Sequence, residues 1–320
     1  MSQSRSGTRG SLPYHMPVMA EEVIDIFGTL ELGLIVDATF GGGGHSTALL
    51  AALDQIEILA IDRDPDAADR VEEHSRLRFV EGRFSELERL LADSATEAMA
   101  GDDGAVAGVL FDIGVSSHQL DTPSRGFSYR RAGPLDMRMN PNAGLSAYVV
   151  VNSWTEDEIA RVIQRYGDEK FARRIAGRIV SNRPLEDTAA LAKVIADSVP
   201  AAVRRKRHPA RRTFQAIRIV VNDELAELEK GLNAALDAVR PGGRVVVITY
   251  HSLEDRIVAH RFAAGTSGCE CPPDFPVCVC GRTAELRSLT RRGLTPSPAE
   301  VGRNPRARSA RLRAVEKVAA

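Results

Sequence analysis

The chemistry-bearing residues of this sequence lie directly after short apolar runs. Four glycines and a histidine, residues 41–45, follow one run, and single aspartates, Asp62 and Asp112, end two others. Consecutive glycines let a backbone approach a ligand closely. A carboxylate at a strand end can accept hydrogen bonds from ribose hydroxyls, and the ring of Phe84, which follows a further run, can stack on an adenine. Together these residues indicate a site for a nucleoside-containing cofactor.

The residues alone leave three functions open. The dinucleotide fingerprint G-x-G-x-x-G is matched by Gly41 and Gly43, but Ser46 occupies its third position. His45 also stands where a pyrophosphate would bind. S-adenosylmethionine has no phosphate, and its sulfonium tolerates acids and an imidazole nearby. The pattern therefore favours methyl transfer over an NAD-dependent oxidoreductase and over a non-catalytic RNA-binding protein.

The apolar runs predict the elements that position these residues. Near-continuous apolar strands that alternate with helices are typical of a parallel sheet covered on both faces. Strands are predicted at residues 34–38, 56–61, 77–80, 106–111 and 244–249, with helices at 46–53 and 84–91. The expected fold class is therefore α/β, with a doubly wound, mostly parallel Rossmann-like methyltransferase sheet.

The strand pattern is interrupted between the fourth and fifth strands, which predicts a helical insertion there. Helices are predicted at residues 155–166, 169–181 and 188–198, with Thr155 and Thr188 as N-caps. A long helix at 213–239 then leads to the fifth strand. Near the end of the chain, residues 269–306 are expected to be irregular and 308–315 to form an edge strand.

These elements predict two domains and a short lead. Residues 1–12 are polar, contain no apolar signal-peptide segment and are expected to be disordered. Residues 13–113 and 213–320 form the cofactor-binding domain. Residues 114–212 form an inserted domain that recognises the substrate.

The charge of the chain is segregated, although its net value is only -1. Residues 201–220 contain seven Lys and Arg and no acid, and residues 282–320 contain ten against three Glu. Such basic segments on a neutral chain favour a polyanionic partner. No apolar run reaches the roughly 20 residues of a membrane helix, which predicts a cytoplasmic protein without a membrane partner.

All the cysteines of the chain fall in one short segment. Cys269, Cys271, Cys278 and Cys280 offer four thiolates, the number that tetrahedral zinc prefers. The Cys-x-Cys spacing differs from the usual C-x₂₋₄-C of zinc sites. A metal-free loop is therefore expected, with a zinc site as the alternative.

Seven stretches of the sequence closely resemble the bacterial 16S rRNA cytosine-N4 methyltransferase family, also called MraW or RsmH. They are residues 37–46 (DATFGGGGHS), 60–65 (AIDRDP), 111–121 (FDIGVSSHQLD), 126–130 (GFSYR), 133–139 (GPLDMRM), 211–225 (RRTFQAIRIVVNDEL) and 250–258 (YHSLEDRIV). The resemblance implies methylation of N4 of cytidine 1402 in 16S rRNA, within the 30S subunit. It also implies an S-adenosylmethionine site made of Gly43, Gly44, His45, Asp62, Phe84, Asp112 and Gln119.

Two stretches depart from the family pattern. Gly42 stands where the family often has arginine, and Thr249-Tyr250 replaces a common Ser-Phe. Neither change removes a group that the site needs.

Methylation of N4 requires residues that activate a poor nucleophile, because its lone pair is delocalised into the cytosine ring. A carboxylate at the end of the fourth strand can accept a hydrogen bond from the amino group and later its proton. Asp112 is expected to serve the cofactor at least as much as the base, and a second polar group from Asp136, His251 or Ser252 is expected to help hold N4. Contacts to RNA are expected from Arg138, Arg204, Arg205, Arg211, Arg212 and Gln215, since phosphates favour several arginines.

Overall fold

The computed structural model describes residues 16–30, 33–93, 106–206, 208–268, 271, 275, 277, 280–281 and 283–319. The predicted lead, residues 1–12, lies outside this part of the chain. So do Cys269 and Cys278, and the metal-free loop expected there remains a prediction. None of the described helices combines the length and the apolar character that a membrane span requires.

The strands and helices alternate along the first half of the chain, as the sequence predicts. The strands are β1 (Gly33–Asp37), β2 (Ile56–Asp62), β3 (Leu77–Glu81), β4 (Val106–Asp112), β5 (Val239–Thr249), β6 (Leu286–Ser288) and β7 (Arg311–Lys317). The first helices are α1 (Ala20–Phe27), α2 (Gly44–Ala52) and α3 (Leu87–Leu91), and short 3-10 turns precede β3 and α3.

Ten more helices follow β4 within the described ranges. They are α4 (Ser117–Asp121), α5 (Ala147–Ser153), α6 (Glu156–Gly167), α7 (Ala172–Ser181), α8 (Thr188–Ser198), α9 (Ala201–Lys206), α10 (Ala210–Asn222), α11 (Glu224–Ala238), α12 (Ser252–Thr266) and α13 (Pro298–Arg303).

The strands form one seven-stranded sheet in the order β3-β2-β1-β4-β5-β7-β6. The first five strands are parallel, and β7 is antiparallel to both β5 and β6. The order reverses direction between β1 and β4, which is where such sheets bind ligands. The predicted doubly wound α/β fold is confirmed.

Alternate residues of the central strands pack on opposite faces of the sheet, because side chains of a strand alternate in direction. Leu34 and Val36 of β1 face a cluster that includes Leu228 and Leu232 of α11. Ile35 faces the other cluster, beside helices α1 and α2. The burial of both faces explains why these strands read as continuous apolar runs.

The inserted helices have an apolar cluster of their own. Its members come from α5, α6, α7, α8 and α10, and they include Ile159, Ile163, Ile175 and Ile195. Thr155 caps α6 as predicted, in a capping box with Glu158. The cap of α8 is Asp187 and not Thr188, because the Asp187 carboxylate accepts the backbone N–H of Ala190 at 2.7 Å.

The long helix predicted at residues 213–239 is two helices, α10 and α11. The chain breaks at Asp223, whose φ of 50° is left-handed. Asn and Asp adopt this conformation more readily than most residues. The apolar face of α10 packs with the inserted helices through Phe214 and Ile217, and the predicted boundary at residue 212 remains a prediction.

The end of the chain also differs from the sequence expectation. The predicted edge strand at residues 308–315 begins at Arg311 and lies inside the sheet, because β6 pairs with its outer side. The segment 269–306 was expected to be irregular, yet it contains β6 and helix α13. Three-residue β6 is too short to show a strand pattern in the sequence.

Candidate active site

A cavity of about 370 Å³ opens at the carboxyl ends of the parallel strands. Its walls come from the loops after β1, β2 and β4, from helix α4 and from both ends of the described chain. Six of the seven predicted cofactor residues line it: Gly44, His45, Asp62, Phe84, Asp112 and Gln119. These residues meet because the carboxyl ends of parallel strands lie at the same edge of the sheet.

The glycine loop between β1 and α2 takes conformations that side chains would obstruct. Gly41 and Gly43 have φ of 55° and 75°, and a Cβ at Gly43 would lie 2.7 Å from the ring of Phe40. Gly43 itself does not line the cavity, so its role is to shape the loop. A Cβ at Gly42 would meet nothing within 4 Å, which explains how related sequences can carry arginine there.

Asp62 holds the glycine loop from the end of β2. Its carboxylate accepts the backbone N–H of Gly41 at 2.7 Å and that of Asp64 at 2.8 Å. Burial raises its pKa to about 6, partly offset by these two hydrogen bonds. The carboxylate lines the cavity and retains lone pairs for two ribose hydroxyls, which fits the nucleoside of S-adenosylmethionine.

We expect the Asp62→Asn variant to bind S-adenosylmethionine about 10- to 150-fold more weakly at pH 8, because a charge-assisted hydrogen bond contributes about 1.5–3 kcal/mol. In the wild type, affinity should fall as pH drops through about 6, since protonation removes the charged acceptor. Titration calorimetry between pH 5 and 8 measures both effects. A variant that kept the pH dependence of the wild type near pH 6 would contradict this assignment.

Phe84 and Gln119 complete the side of the cavity below the glycine loop. The ring of Phe84 packs edge-on against Phe111 at 5.5 Å and offers its remaining surface to the cavity. Gln119 caps its own helix through Ser116 and donates from Nε2 to the Asp64 carboxylate at 2.8 Å. Both side chains are thus held by neighbours, and a planar adenine with its exocyclic amine fits this wall.

Asp112 is the carboxylate at the centre of the cavity. Its Oδ1 accepts the hydroxyl proton of Tyr250 at 2.7 Å, and its Oδ2 lies 3.7 Å from Nδ1 of His45. Burial raises the pKa of Asp112, while His45 and the Tyr250 hydroxyl lower it. Burial and the Asp112 charge raise the pKa of Tyr250 well above its usual value, so the phenol stays protonated and donates.

The tautomer of His45 follows from its other ring nitrogen. Nε2 lies 2.9 Å from the carbonyl oxygen of Val18, and a carbonyl oxygen only accepts hydrogen bonds. Nε2 therefore carries a proton. Nδ1, which faces Asp112, carries a proton only in the charged ring, the form that lowers the pKa of Asp112, and in the neutral ring it presents a lone pair.

The other two predicted catalytic residues do not line the cavity. Asp136 forms a two-point ion pair with Arg138, at 2.8 Å for both contacts. His251 is the N-cap of α12, and its Nε2 lies 2.8 Å from Glu254. Of the three predicted catalytic residues, only Asp112 lines the cavity.

A buried acidic cluster lies behind Tyr250. Ligand atoms of Glu224, His251 and Glu254 lie within 4.8 Å of one another, a spacing that a metal ion could bridge. Arg218 already occupies this position: it pairs with both oxygens of Glu224 at 2.7 Å and lies 3.9 Å from Glu254. The guanidinium supplies the positive charge there, and this cluster braces the cavity wall.

None of the predicted RNA-binding residues lines the cavity. Three of them are engaged within the chain: Arg138 with Asp136, Arg212 with Asp168, and Gln215 with the carbonyl oxygen of Tyr166 at 3.3 Å. Arg204 lies 3.9 Å from Asp197 in an exposed pair.

Arg205 and Arg211 are different from these residues. Both are exposed, and neither forms an ion pair with any residue in the described ranges. They are the members of the predicted set that are free to meet a phosphate.

Sequence reasoning missed several residues of the cavity. Tyr250 was seen as a departure from the family pattern, but its hydroxyl bond to Asp112 was not expected. Asn304 and Arg306, from the segment predicted to be irregular, also line the rim. The basic composition of residues 282–320 was the signal for them. It indicated a polyanionic partner but did not indicate where in the fold these residues would lie.

Comparison with known proteins agrees with this geometry. The profile of the MraW methylase family matches residues 13–318. A protein of Heliobacterium modesticaldum named "Ribosomal RNA small subunit methyltransferase H" is 46% identical over 315 residues, 95% of this chain and 99% of that protein. Proteins of the same name from Symbiobacterium thermophilum and Geobacter sulfurreducens are each 48% identical, over 96% and 95% of this chain and 98% and 99% of their own lengths.

Proposed function

Because this chain belongs to the MraW methylase family, we propose that it transfers the methyl group of S-adenosylmethionine to N4 of a cytidine in 16S rRNA, at cytidine 1402. The match to the family over nearly the whole chain supports the methyltransferase activity and S-adenosylmethionine as the cofactor. The choice of N4 and of this nucleotide rests on the resemblance of the sequence motifs. Membership of a methylase family decides against both alternatives, the oxidoreductase and the non-catalytic RNA-binding protein.

The residues at the cavity provide what N4 methylation needs from the protein. S-adenosylmethionine supplies an electrophilic methyl group on a positively charged sulfur. The carboxylate of Asp112 accepts a hydrogen bond from the cytosine amino group, which directs the nitrogen lone pair toward the methyl carbon. Burial raises the pKa of Asp112, so it is a better proton acceptor than an exposed carboxylate.

Tyr250 positions this carboxylate, and His45 receives its proton. The Tyr250 hydroxyl holds Oδ1, which leaves Oδ2 for the amino group. Nδ1 of His45 lies 3.7 Å from Oδ2, so it faces the oxygen that takes up the proton. The proton that N4 loses therefore passes to Asp112 and then to His45.

Replacing Tyr250 with phenylalanine should move the acidic limb of the pH–kcat profile to higher pH. The hydrogen bond from Tyr250 lowers the pKa of Asp112, so its loss raises that pKa and protonates the base at a higher pH. On this limb the rate should fall about 2- to 12-fold, since one hydrogen bond contributes about 0.5–1.5 kcal/mol. Tyr148→Phe, at an exposed position away from the cavity, is the matched control. If the pH–kcat profile of Tyr250→Phe superimposed on that of Tyr148→Phe, the proposed role of Tyr250 would be wrong.

The division of the chain suggests which part recognises the RNA. We propose that residues 114–212 form the substrate-recognition part and that 13–113 with 213–320 form the cofactor part. The separate apolar cluster of the inserted helices supports this division, as do the unpaired Arg205 and Arg211 on their surface. A target in 16S rRNA of the 30S subunit places the protein in the cytoplasm, where ribosomal subunits are assembled.

Methyl transfer from labelled S-adenosylmethionine to 30S subunits that lack the modification tests this function. We expect label in 16S rRNA, and nucleoside analysis should identify N4-methylcytidine. A parallel reaction with naked 16S rRNA shows whether the assembled subunit is required. Label on another atom of cytosine, or on another nucleoside, would show that the proposed target is wrong.

A further inference from the structure

The C-terminal segment 298–309 forms part of the rim of the cavity. Asn304 and Arg306 line the cavity directly. The segment is fixed to the N-terminal residues of the same rim: Met19 N–H donates to the Glu300 carboxylate at 2.7 Å, and Asn304 Nδ2 donates to the carbonyl oxygen of Met16 at 3.2 Å. The position of this segment at the cavity is therefore built into the fold.

The stretch that contains this segment is strongly basic, and the protein neutralises only part of its charge. Residues 286–315 contain eight arginines and a single acid, Glu300, whose carboxylate is already used by Met19. Arg306 pairs with Asp121 at 2.8 Å, and Arg313 pairs with Asp255 at 2.7 Å.

Two arginines of the segment differ from these. Arg303 and Arg308 are exposed, and neither guanidinium forms an ion pair within the part of the chain that the structure describes. They lie one and two residues from Asn304 and Arg306, in a helix end and a 3-10 turn that leave little freedom to the backbone. The fold thus places two exposed arginines, unpaired among the described residues, within two positions of residues that line the cavity.

We propose that Arg303 and Arg308 form a phosphate-binding surface for the RNA at the entrance of the cavity. This inference rests on the proposed function. A base that enters the cavity leaves its own phosphate and those of its neighbours at the rim, because the base must swing out of its stack to reach the pocket. Unpaired guanidinium groups bind phosphate oxygens well.

The RNA contacts of this surface differ from those proposed for the inserted helices. None of the four arginines lines the cavity itself. The exposed Arg205 and Arg211 belong to the inserted helices and lie further along the chain from any lining residue, so they act on RNA away from the target base. Arg303 and Arg308 flank rim residues, so they act on the backbone next to the target. Contacts at two places on the strand hold the unstacked nucleotide in register with the methyl donor.

The double variant Arg303→Gln/Arg308→Gln tests this surface. Its affinity for 16S rRNA should fall on the order of 10-fold, and the slope of log K against log salt should decrease by about 1.4 to 1.8, or 0.7 to 0.9 for each lost phosphate contact. Polarisation assays from 50 to 200 mM salt measure both quantities. Calorimetry should give unchanged affinity for S-adenosylmethionine.

Lys230→Gln/Arg256→Gln is the matched control. It removes the same charge from exposed positions of α11 and α12 that do not line the cavity, and its salt slope should equal that of the wild type. A slope for the Arg303/Arg308 variant equal to that of the control would overturn the inference. So would weaker binding to 30S subunits with unchanged binding to naked 16S rRNA, because the arginines would then contact ribosomal protein.

The methylation assay keeps the two proposals separate. If the wild type methylates 30S subunits but the arginine variant retains the full salt slope, only the phosphate surface is wrong. If the slope decreases as expected but the wild type modifies a different nucleoside, the surface stands and the proposed target is wrong.

Discussion

The Asp112→Asn variant is expected to methylate 30S subunits with a kcat about 10²- to 10⁴-fold below that of the wild type, the usual contribution of a positioned general base. Asparagine has the same shape, and its Oδ1 can still accept the Tyr250 hydroxyl. It cannot take a proton at neutral pH. The loss should therefore appear in kcat, measured in single turnover, while affinity for S-adenosylmethionine changes less than about 10-fold.

The Asp136→Asn variant is the matched control for this experiment. Asp136 carries the same functional group, and the sequence predicts it as an alternative catalytic residue. The structure pairs it with Arg138 outside the cavity lining. A loss of kcat in this variant equal to that of Asp112→Asn would show that the base has been assigned to the wrong carboxylate.

The sequence predicts well which residues of the glycine loop and the strand ends line the cavity, because their meeting depends on local patterns and one topological rule. Asp62 and Asp112 each end an apolar strand, and parallel strands of such a sheet end at the same edge. Short spacings along the chain therefore determine which residues meet. The glycine loop is equally local, since Gly41 and Gly43 need conformations that their own residue type allows.

The contact between Tyr250 and Asp112 could not be predicted in the same way, because it joins residues that are distant in sequence. Tyr250 reaches Asp112 because β5 pairs with β4 and places Ile248 beside Asp112. No local pattern specifies that register. The sequence therefore indicated Asp136 and His251 by residue type alone, and it overlooked a phenol one residue before His251.

The break between α10 and α11 shows the same limit for the fold. The apolar period continues through Asp223, so the pattern predicts one long helix. The end of α10 is held by distant groups: Arg63 donates to the carbonyl oxygen of Asn222, and the Asn222 side chain accepts the backbone N–H of Met139 at 2.7 Å. These bonds tie the inserted helices to the loop after β2, and tertiary contacts of this kind override helix propensity.

A buried ion pair at this junction leads to the largest expected change in stability. Arg125 donates from Nη1 to Asp64 at 2.8 Å and to Asp66 at 2.7 Å, and from Nη2 to the carbonyl oxygen of Met139 at 2.8 Å. The side chains of Arg125 and Asp64 are only 10% and 5% exposed. The guanidinium thus joins the turn after β2 to the insertion. Asp62 is the last residue of that strand.

We expect Arg125→Met to lower the free energy of unfolding by about 3–5 kcal/mol, because it leaves the Asp64 carboxylate buried without its cation. Arg89→Met removes a pair of the same 2.8 Å length, with Glu86, from an exposed site, and should cost about 0–1 kcal/mol. Urea unfolding followed by circular dichroism compares the two variants. Affinity for S-adenosylmethionine should also fall in Arg125→Met, since Asp64 holds Gln119 in the cavity wall.

The cause of this loss can be separated from simple loss of packing by a second substitution. If the uncompensated carboxylate is responsible, adding Asp64→Asn to Arg125→Met removes the buried charge and should recover part of the lost stability. Asparagine can still accept the amide of Gln119, so part of the cofactor affinity should return as well. A double variant less stable than Arg125→Met would mean that the Arg125 side chain acts mainly through its packing and its bonds to the carbonyl oxygens of the insertion.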